Sequence, residues 1–280
     1  MSQWQHADVT ELIALALRED IASGDITTNG CIDPDVTATG RYFARETAVL
    51  AGVELLPQIF AMRGGVESIE VLCNSGDNVT PGLAVAAVRG RARTLLECER
   101  TSLNFLQRLS GVATNARRFA ELVAGTKCRV LDTRKTTPGW RRLEKAAAAA
   151  GGATNHRMGL YDAVLIKNNH IAAAGGVGAA LEKFRNSGVP VEIEVRDHAE
   201  LEQALAAGAR HVLLDNRTPD EARAEIAWIA DRATVELSGN ITLETVRAYA
   251  ETGTNFISAG AITHGARSVD FNFRVELDHA

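Results

Sequence analysis

Six short apolar runs in the second part of the chain each end in polar or glycine-containing residues, and stretches of helical length separate them. An alternation of short apolar runs with helix-length segments predicts strands joined by helical crossovers, which produce a parallel sheet. Six such repeats are typical of a barrel-type α/β enzyme. The runs cover residues 128–131, 163–166, 191–193, 211–214, 234–237 and 255–257.

The polar residues that end or follow these runs should meet on one face, because all strands of a parallel barrel point the same way. Cations, carboxylates and the backbone N–H groups of glycine-containing loops would then share one site. Together they indicate a phosphorylated, metal-bound substrate. The residues concerned are Asp132-Thr133-Arg134-Lys135, Lys167, Glu194, Asp215, Ser238-Gly239-Asn240 and Ser258-Ala259-Gly260.

The formal net charge of −5 argues against a nucleic-acid or membrane-surface role, since both depend on a basic surface. The charge is unevenly distributed along the chain. Residues 127–167 contain nine lysines and arginines against three acidic residues. A locally cationic segment within an acidic protein agrees with an anionic small-molecule substrate.

The four cysteines are scattered, with no C-x-x-C pair, which indicates reduced thiols rather than a disulfide framework or a zinc site. The first residues lack the charged start and apolar core of a secretory signal, and no run approaches the roughly 18 apolar residues of a membrane span. We therefore expect a soluble, cytoplasmic protein.

The first part of the chain has a different pattern, with an initial helix followed by short strands and turns that predict an α+β arrangement. Two helices, at 92–109 and 113–123, separate this part from the strand-helix repeat. The domain boundary is expected near residue 115. A last strand-like segment, 269–275, has no place in the repeat and is expected to pack back on the first part.

Each candidate residue also has an ordinary structural interpretation. Lys167 either lies at the barrel mouth or is a strand-end lysine whose stem packs on apolar neighbours. Glu194 and Asp215 either hold Mg²⁺ or balance nearby cations. His156 and Arg157 could form an anion clamp, although a single histidine is more often structural.

Five sequence motifs occur in order along the chain: ERTSLNFLQRLSGVAT at 99–114, DTRKTTPGWRRLEK at 132–145, NHRMGL at 155–160, LIKNNH at 165–170 and LSGNI at 237–241. This ordered set resembles the quinolinate phosphoribosyltransferase family, the nicotinate-nucleotide pyrophosphorylases (carboxylating). The resemblance covers nearly the whole chain.

The resemblance implies an α/β protein of two domains. Residues 1–115 would form an α/β sandwich, with 268–280 packing back on it, and residues 116–267 an incomplete parallel α/β barrel of the type II phosphoribosyltransferases. It also implies a homodimer in which the first domain of one subunit completes the barrel mouth of the other, and it leaves open whether dimers form a higher oligomer. Arg100, to which helical periodicity gives no role, would then reach the neighbouring subunit's site.

The reaction implied by the resemblance converts quinolinate and phosphoribosyl pyrophosphate into nicotinate mononucleotide, pyrophosphate and carbon dioxide. Mg²⁺ would be required, and no organic cofactor. Around the quinolinate carboxylates the family pattern places Arg134, His156, Arg157, Lys167 and the neighbour's Arg100.

The remaining substrate-binding positions would contact the sugar, metal and phosphates. They are Thr133, Lys135, Glu194, Asp215, Ser238, Gly239, Asn240, Ala259, Gly260 and Ala261. The catalytic residues would be Lys135, Lys167, Glu194 and Asp215, of which Glu194 and Asp215 would hold Mg²⁺ partly through substrate and water.

Three other functions fit parts of this pattern. One is a related phosphoribosyltransferase for another heteroaromatic acid, against which the cation set suited to a dicarboxylate argues. Another is a barrel aldolase that uses Lys167 as a Schiff-base amine, which would leave Glu194 and Asp215 unexplained. The third is a non-catalytic carboxylate-binding or assembly protein, which would bind its ligand without turnover.

Overall fold

The computed structural model describes residues 3–278, which form two compact units. The first unit comprises the chain up to Arg117, the segment Thr136–Gly152 and the chain from Gly265 onward. The second comprises Arg118–Lys135 and Ala153–His264. The predicted barrel domain covered all of residues 116–267, whereas in the structure Thr136–Gly152 belongs to the first unit.

The first unit is built on a four-stranded antiparallel sheet. Its strands are β1 (Thr37–Ala44), β3 (Ser68–Val71), β5 (Ala84–Arg91) and β12 (Phe271–Leu277), in the spatial order β12-β1-β5-β3, and β2 (Ala48–Val49) pairs separately with β4 (Asn78–Val79). Every second residue of β1 is buried, which is the pattern of a sheet with one face on the core. The C-terminal strand β12 pairs with β1 from Ala44–Phe271 to Ala38–Leu277; residues 279 and 280, also predicted to pack here, lie outside the described residues.

The helices of this unit are α1 (Ala7–Ile21), α2 (Ile26–Cys31), α3 (Leu56–Ala61), α4 (Ala92–Leu122) and α5 (Arg141–Ala150), with short 3-10 helices at Gln3–Gln5 and Val53–Leu55. The sequence predicted two helices where α4 is continuous through Gly111. A Cβ atom at this position would lie 2.0 Å from the carbonyl oxygen of Arg267. Gly111 therefore permits a close backbone approach and does not end the helix.

The segment Thr136–Gly152 packs in the first unit through a buried ion pair. Glu144 is fully buried on α5 and accepts hydrogen bonds from Arg108 Nη2 at 2.7 Å and from the Thr137 backbone N–H at 3.0 Å. Trp140 stacks on Phe105 of α4, with ring centroids 4.7 Å apart. These polar and aromatic contacts explain why the segment groups with α4.

The second unit contains a parallel sheet of six strands. They are β6 (Arg129–Leu131), β7 (Val164–Ile166), β8 (Val191–Val195), β9 (His211–Asp215), β10 (Thr234–Ser238) and β11 (Phe256–Ser258). The helices α6 (Asn168–Ala174), α7 (Val177–Glu182), α8 (His198–Ala206), α9 (Pro219–Ile229), α10 (Val246–Ala250) and α11 (Ala261–His264) occur between or after them. Each of the six strands coincides with one of the predicted apolar runs to within about one residue at most ends.

The strand order is β6-β11-β10-β9-β8-β7, so that β6 and β7 form the two edges of the sheet. Within residues 3–278 these two edges are not paired with each other, which confirms the predicted incomplete barrel. Three consecutive residues are buried in β9 and in β10, which is typical of a parallel sheet covered on both faces. None of the helices in the described part of the chain is both long and apolar enough for a membrane span.

Candidate active site

A cavity of about 710 Å³ opens at the carboxyl ends of the parallel strands of the second unit. Every predicted site residue of that unit lines it. These residues are Thr133, Arg134, Lys135, His156, Arg157, Lys167, Glu194, Asp215, Ser238, Gly239, Asn240, Ala259, Gly260 and Ala261. Arg100, the remaining predicted residue, is exposed on α4 and does not line this cavity.

Strand alternation brings these side chains together. Glu194 lies opposite Leu213 on β9, and Leu213 lies opposite Glu236 on β10. Two residues farther along these strands, Asp215 of β9 lies opposite Ser238 of β10. Because side chains two residues apart share a face of a sheet, these positions all point into the barrel. The sequence pattern predicted Glu194, Asp215 and Ser238 directly after their strands, whereas in the structure all three belong to the strands themselves.

Two arginines make part of the cavity strongly cationic. Burial, followed by the positive charge of Arg134, lowers the pKa of Arg157. The Nε atom of Arg134 is buried and has no hydrogen-bond acceptor among residues 3–278. A buried guanidinium donor without an acceptor costs free energy, and an anionic ligand would supply the missing acceptor.

Lys167 donates a hydrogen bond from Nζ to Glu194 Oε2 at 2.6 Å. The lysine side chain is half exposed and the glutamate is largely buried. A Schiff-base mechanism needs the neutral amine and would have to break this ion pair. The contact therefore argues against the aldolase alternative for Lys167.

Two carboxylates share the same part of the cavity. Burial raises the pKa of Asp215, and the neighbouring Glu194 carboxylate raises it further, while Lys167 and Lys135 act in the opposite direction. A divalent cation would relieve the repulsion between the two carboxylates. Oxygen donors are the ligands that Mg²⁺ prefers, so the donor set fits this ion.

The loops after β6 and β11 are fixed against each other. Thr263 donates from its hydroxyl to the Lys135 carbonyl oxygen at 2.8 Å, and Lys135 donates from its backbone N–H to Thr133 Oγ1 at 3.0 Å. A Cβ atom at Gly260 would lie 2.7 Å from Lys135 Cδ. The glycine therefore leaves room for the lysine stem at the edge of the cavity.

The loop after β10 requires glycine at position 239. Gly239 has φ of +111°, and a Cβ atom there would lie 2.8 Å from the backbone nitrogen of Asn216. We expect Gly239→Ala to lower the free energy of unfolding by about 1–3 kcal/mol, the usual cost of such backbone strain. Urea unfolding measures this loss.

Gly178→Ala is the matched control, because no atom lies within 4 Å of the added Cβ and the residue lies in α7. Alanine is the better helix former, so this variant should be at least as stable as the parent. Equal stability of the two variants would contradict the strain assigned to Gly239.

The cavity also contains residues that the sequence analysis did not single out as site residues. They are Leu165, Leu213, Asn216, Glu236, Ile241 and Thr242. Glu236 is the most informative, because it is a nearly fully buried acid within a strand. Its position two residues before Ser238 is a signal that period-two alternation could have revealed.

Burial, and after it the Glu192 carboxylate, raise the pKa of Glu236 from its usual 4.5 to about 8. Between these two values the folded protein holds a proton that the unfolded chain has released. The free energy of unfolding should therefore fall as the pH rises from about 5 to 8, by up to about 1.4 kcal/mol per pH unit. In Glu236→Gln the contribution of this carboxyl should disappear, so that the free energy of unfolding falls less steeply with pH than in the parent.

Urea unfolding at several pH values tests this expectation. Glu202→Gln, which replaces an exposed glutamate of α8, is the control and should retain the parental pH dependence. Parallel curves for the parent and Glu236→Gln would contradict a raised pKa at Glu236.

A buried aspartate anchors the chain next to the cavity. Asp132 accepts hydrogen bonds from Asn155 Nδ2 at 2.6 Å and from the His156 backbone N–H at 2.8 Å. These bonds connect the end of β6 with the segment that carries His156 and Arg157. The charged side chains of that segment are consequently held at the cavity wall.

Known sequence families match both parts of the chain. The profile described as "Quinolinate phosphoribosyl transferase, C-terminal domain" matches residues 112–274, and its N-terminal counterpart matches residues 25–110. Together the two matches cover well over half of the chain.

Individual relatives agree with this match. A Bacillus subtilis (strain 168) protein named "Probable nicotinate-nucleotide pyrophosphorylase (carboxylating)" is 37% identical over 279 residues, which cover 98% of this chain and 96% of the relative. A Nicotiana tabacum protein named "Quinolinate phosphoribosyltransferase (decarboxylating) 2b, mitochondrial" is 36% identical, with 98% and 84% covered.

The fold of this chain is likewise similar to a solved structure. The nicotinate-nucleotide pyrophosphorylase from Francisella tularensis superposes with a TM-score of 0.93 at 37% identity, covering 99% of both chains. Matches to both domains, and identity above 30% over nearly the full length, confirm the resemblance found in the motifs. This chain belongs to the quinolinate phosphoribosyltransferase family.

Proposed function

We propose that this protein transfers the phosphoribosyl group of phosphoribosyl pyrophosphate to quinolinate and releases pyrophosphate and carbon dioxide. The product is nicotinate mononucleotide, an intermediate of NAD biosynthesis. The observation that carries the proposal is one cavity that joins four lysines and arginines, three acidic side chains and two glycine-containing loops in a chain of this family.

The cations balance the charge of the substrates. Quinolinate has two carboxylates and phosphoribosyl pyrophosphate is a polyanion, so bringing them together without cations is costly. Arg134, Arg157 and Lys167 bind the quinolinate carboxylates in this proposal, and Lys135 contacts the phosphates. The unpaired Nε of Arg134 supports an anion at this position.

Bond changes follow from the chemistry of the pyridine ring. The ring nitrogen forms a bond to C1 of the ribose, and the bond from C1 to pyrophosphate breaks with its electron pair leaving on oxygen. The ring is then a pyridinium, which accepts the electron pair of the C2–carboxylate bond as carbon dioxide departs. C2 takes up a proton from solvent, and no organic cofactor is required. Positioning and electrostatics supply most of the catalysis.

Glu194 and Asp215 would hold Mg²⁺ in part, as their oxygen donors and mutual repulsion suggest. When bound, this ion would neutralise charge on the departing pyrophosphate. The loops at Ser238-Gly239-Asn240 and Ala259-Gly260-Ala261, with Thr133, would bind phosphate and sugar oxygens through backbone N–H groups and hydroxyls.

We also place the enzyme in the cytoplasm as a homodimer with shared active sites. Four free cysteines support a reducing compartment. Arg100 is exposed on α4, which supports its use by a partner subunit. Sedimentation of the parent and of Arg100→Ala tests whether the protein is a dimer. Mixing Arg100→Ala subunits with Lys167→Ala subunits tests the shared site, because a mixed dimer would contain one site with both residues intact. Activity that reappears on mixing is expected, and two permanently inactive partners would contradict it.

The stoichiometry of the reaction tests the proposed chemistry. With ¹³C in the 2-carboxylate of quinolinate, one labelled carbon dioxide and one pyrophosphate should form for each nicotinate mononucleotide, and chelation should stop the reaction until Mg²⁺ is restored. Label retained in the nucleotide would contradict decarboxylation at C2. Binding of quinolinate without any turnover would favour the non-catalytic alternative.

A further inference from the structure

Two glutamates to which no motif gave a role face the imidazole ring of His156. The Nε2 atom of His156 lies 3.3 Å from Glu192 Oε2 and 3.5 Å from Glu236 Oε2. All three side chains are at least four-fifths buried. The glutamates lie within strands β8 and β10, whose inward faces line the barrel.

The other ring nitrogen also has a protein partner. Arg157 donates its backbone N–H to His156 Nδ1 at 2.7 Å. The His156 backbone N–H is in turn held by Asp132 Oδ1. The histidine is therefore fixed at three points by groups of the second unit.

These contacts determine where the ring carries its proton. A nitrogen that accepts a hydrogen bond from a backbone N–H carries no proton, so the proton of the neutral ring resides on Nε2. Nε2 faces two carboxyl groups, which are suitable acceptors. In a doubly protonated ring Nδ1 would also be a donor. It would then face the backbone N–H donor of Arg157, and the hydrogen bond between them would be lost.

We infer that Glu192 and Glu236 are positioning residues for the proposed reaction. They hold His156 as the Nε2–H tautomer, and the ring in turn fixes the backbone of Arg157, whose guanidinium faces the cavity. The kinetic part of this inference rests on the proposed function, because it requires Arg157 to bind a substrate carboxylate.

The inference changes the expected role of His156. Both ring nitrogens face protein groups, so the ring directs its Nε2–H to the two glutamates and not to a substrate carboxylate. Arg157 is held at two places, at its backbone by His156 and at Nη1 by the Ala163 carbonyl oxygen at 3.2 Å. The planar guanidinium group of Arg157 is thus oriented before substrate binds.

The tautomer can be measured without any activity assay. Imidazole ¹⁵N NMR of the protein, with the His156 signals assigned by their absence in His156→Ala, should show an unprotonated Nδ1 and a protonated Nε2 at neutral pH. The chain has seven histidines, few enough for such an assignment. A proton on Nδ1, or protons on both nitrogens, would overturn the inference even if the enzyme is fully active.

Steady-state kinetics test whether the glutamates act through the ring. Glu192→Gln should raise KM for quinolinate about tenfold, the scale of one lost charge-assisted hydrogen bond, and change KM for phosphoribosyl pyrophosphate less than about twofold. His156→Ala should raise KM for quinolinate by at least as much. The double variant should be little worse than His156→Ala alone, because the hydrogen bond to the ring is already lost and the direct charge interaction of Glu192 with Arg157 is the smallest of those that act on this guanidinium.

A positioning role would be contradicted if KM for quinolinate in the double variant rose by the product of the two single effects. It would also be contradicted if Glu192→Gln changed KM for quinolinate and KM for phosphoribosyl pyrophosphate equally. Glu202→Gln on α8 is the matched control, since it makes the same chemical change at an exposed position, and should leave both KM values unchanged. Absence of product from the parent would instead overturn the proposed function, while the NMR result would still decide the tautomer.

Discussion

Replacement of Arg134 by alanine is expected to lower kcat/KM for quinolinate by about 10²–10⁴-fold. The guanidinium lines the cavity, and its buried Nε has no acceptor among the described residues. A bidentate contact with a carboxylate contains two charge-assisted hydrogen bonds, each worth about 1.5–3 kcal/mol. Their loss falls on the substrate that carries the carboxylates. Steady-state kinetics with each substrate varied in turn measures this effect.

Arg134→Lys separates charge from geometry, because lysine keeps the positive charge and loses the planar fork. We expect it to recover only part of the lost activity. Arg223→Ala on α9 is the control, since Arg223 pairs with Asp220 on the exposed surface and should leave the kinetics unchanged. Full activity in Arg134→Ala would show that quinolinate binds elsewhere.

The second large effect concerns stability. Arg108→Ala is expected to lower the free energy of unfolding by about 3–5 kcal/mol, because it leaves a buried carboxylate without its charged partner. Glu144 is fully buried, and the Nε and Nη2 atoms of Arg108 both donate to its Oε1. The two bonds that Glu144 accepts from Thr137 remain but carry no compensating positive charge. Urea unfolding measures the loss.

Arg41→Ala provides the comparison for an ion pair with the same shortest N–O distance. Arg41 and Glu276 are also 2.7 Å apart, but both are exposed, and such pairs contribute about 1 kcal/mol or less. If the two arginine variants lost the same stability, burial of Glu144 would not be the reason for the strength of the Arg108 pair.

The sequence was sufficient to predict most of the barrel because each strand is a short apolar run bounded by turn or helix residues. The same pattern predicts the strand ends, so the sequence alone places Lys167 and Asp215 at one face of the sheet. The positions of Thr133 to Lys135 followed in the same way. These predictions depend only on local periodicity and on the common direction of parallel strands.

Other features depend on contacts between residues that are distant in sequence. The local sequence pattern therefore could not predict them. Gly111 resembled a helix break, yet it lies within α4 where the Arg267 carbonyl approaches. Trp140 and Glu144 were assigned to the barrel, although their partners Phe105 and Arg108 lie on α4. In both cases a distant partner determines the structure.

Glu236 illustrates a third kind of omission. It lies within an apolar run, where a charged residue appears out of place, and its burial in the barrel becomes evident only when β8 and β10 are brought to opposite sides of β9. Glu236 does not lie at a strand end, where the polar site residues were predicted. Acidic residues two positions before a predicted strand-end site residue therefore merit inclusion in a search for site residues.

The measurement that tests the central claim most directly is the rate of nicotinate mononucleotide formation by the purified protein. Quinolinate, phosphoribosyl pyrophosphate and Mg²⁺ are supplied, with nicotinate replacing quinolinate in a parallel reaction. We predict product from quinolinate alone, strongly reduced in Arg134→Ala. Failure of the folded protein to form product from quinolinate, or equal rates with nicotinate, would contradict a dicarboxylate-specific phosphoribosyl transfer in this cavity.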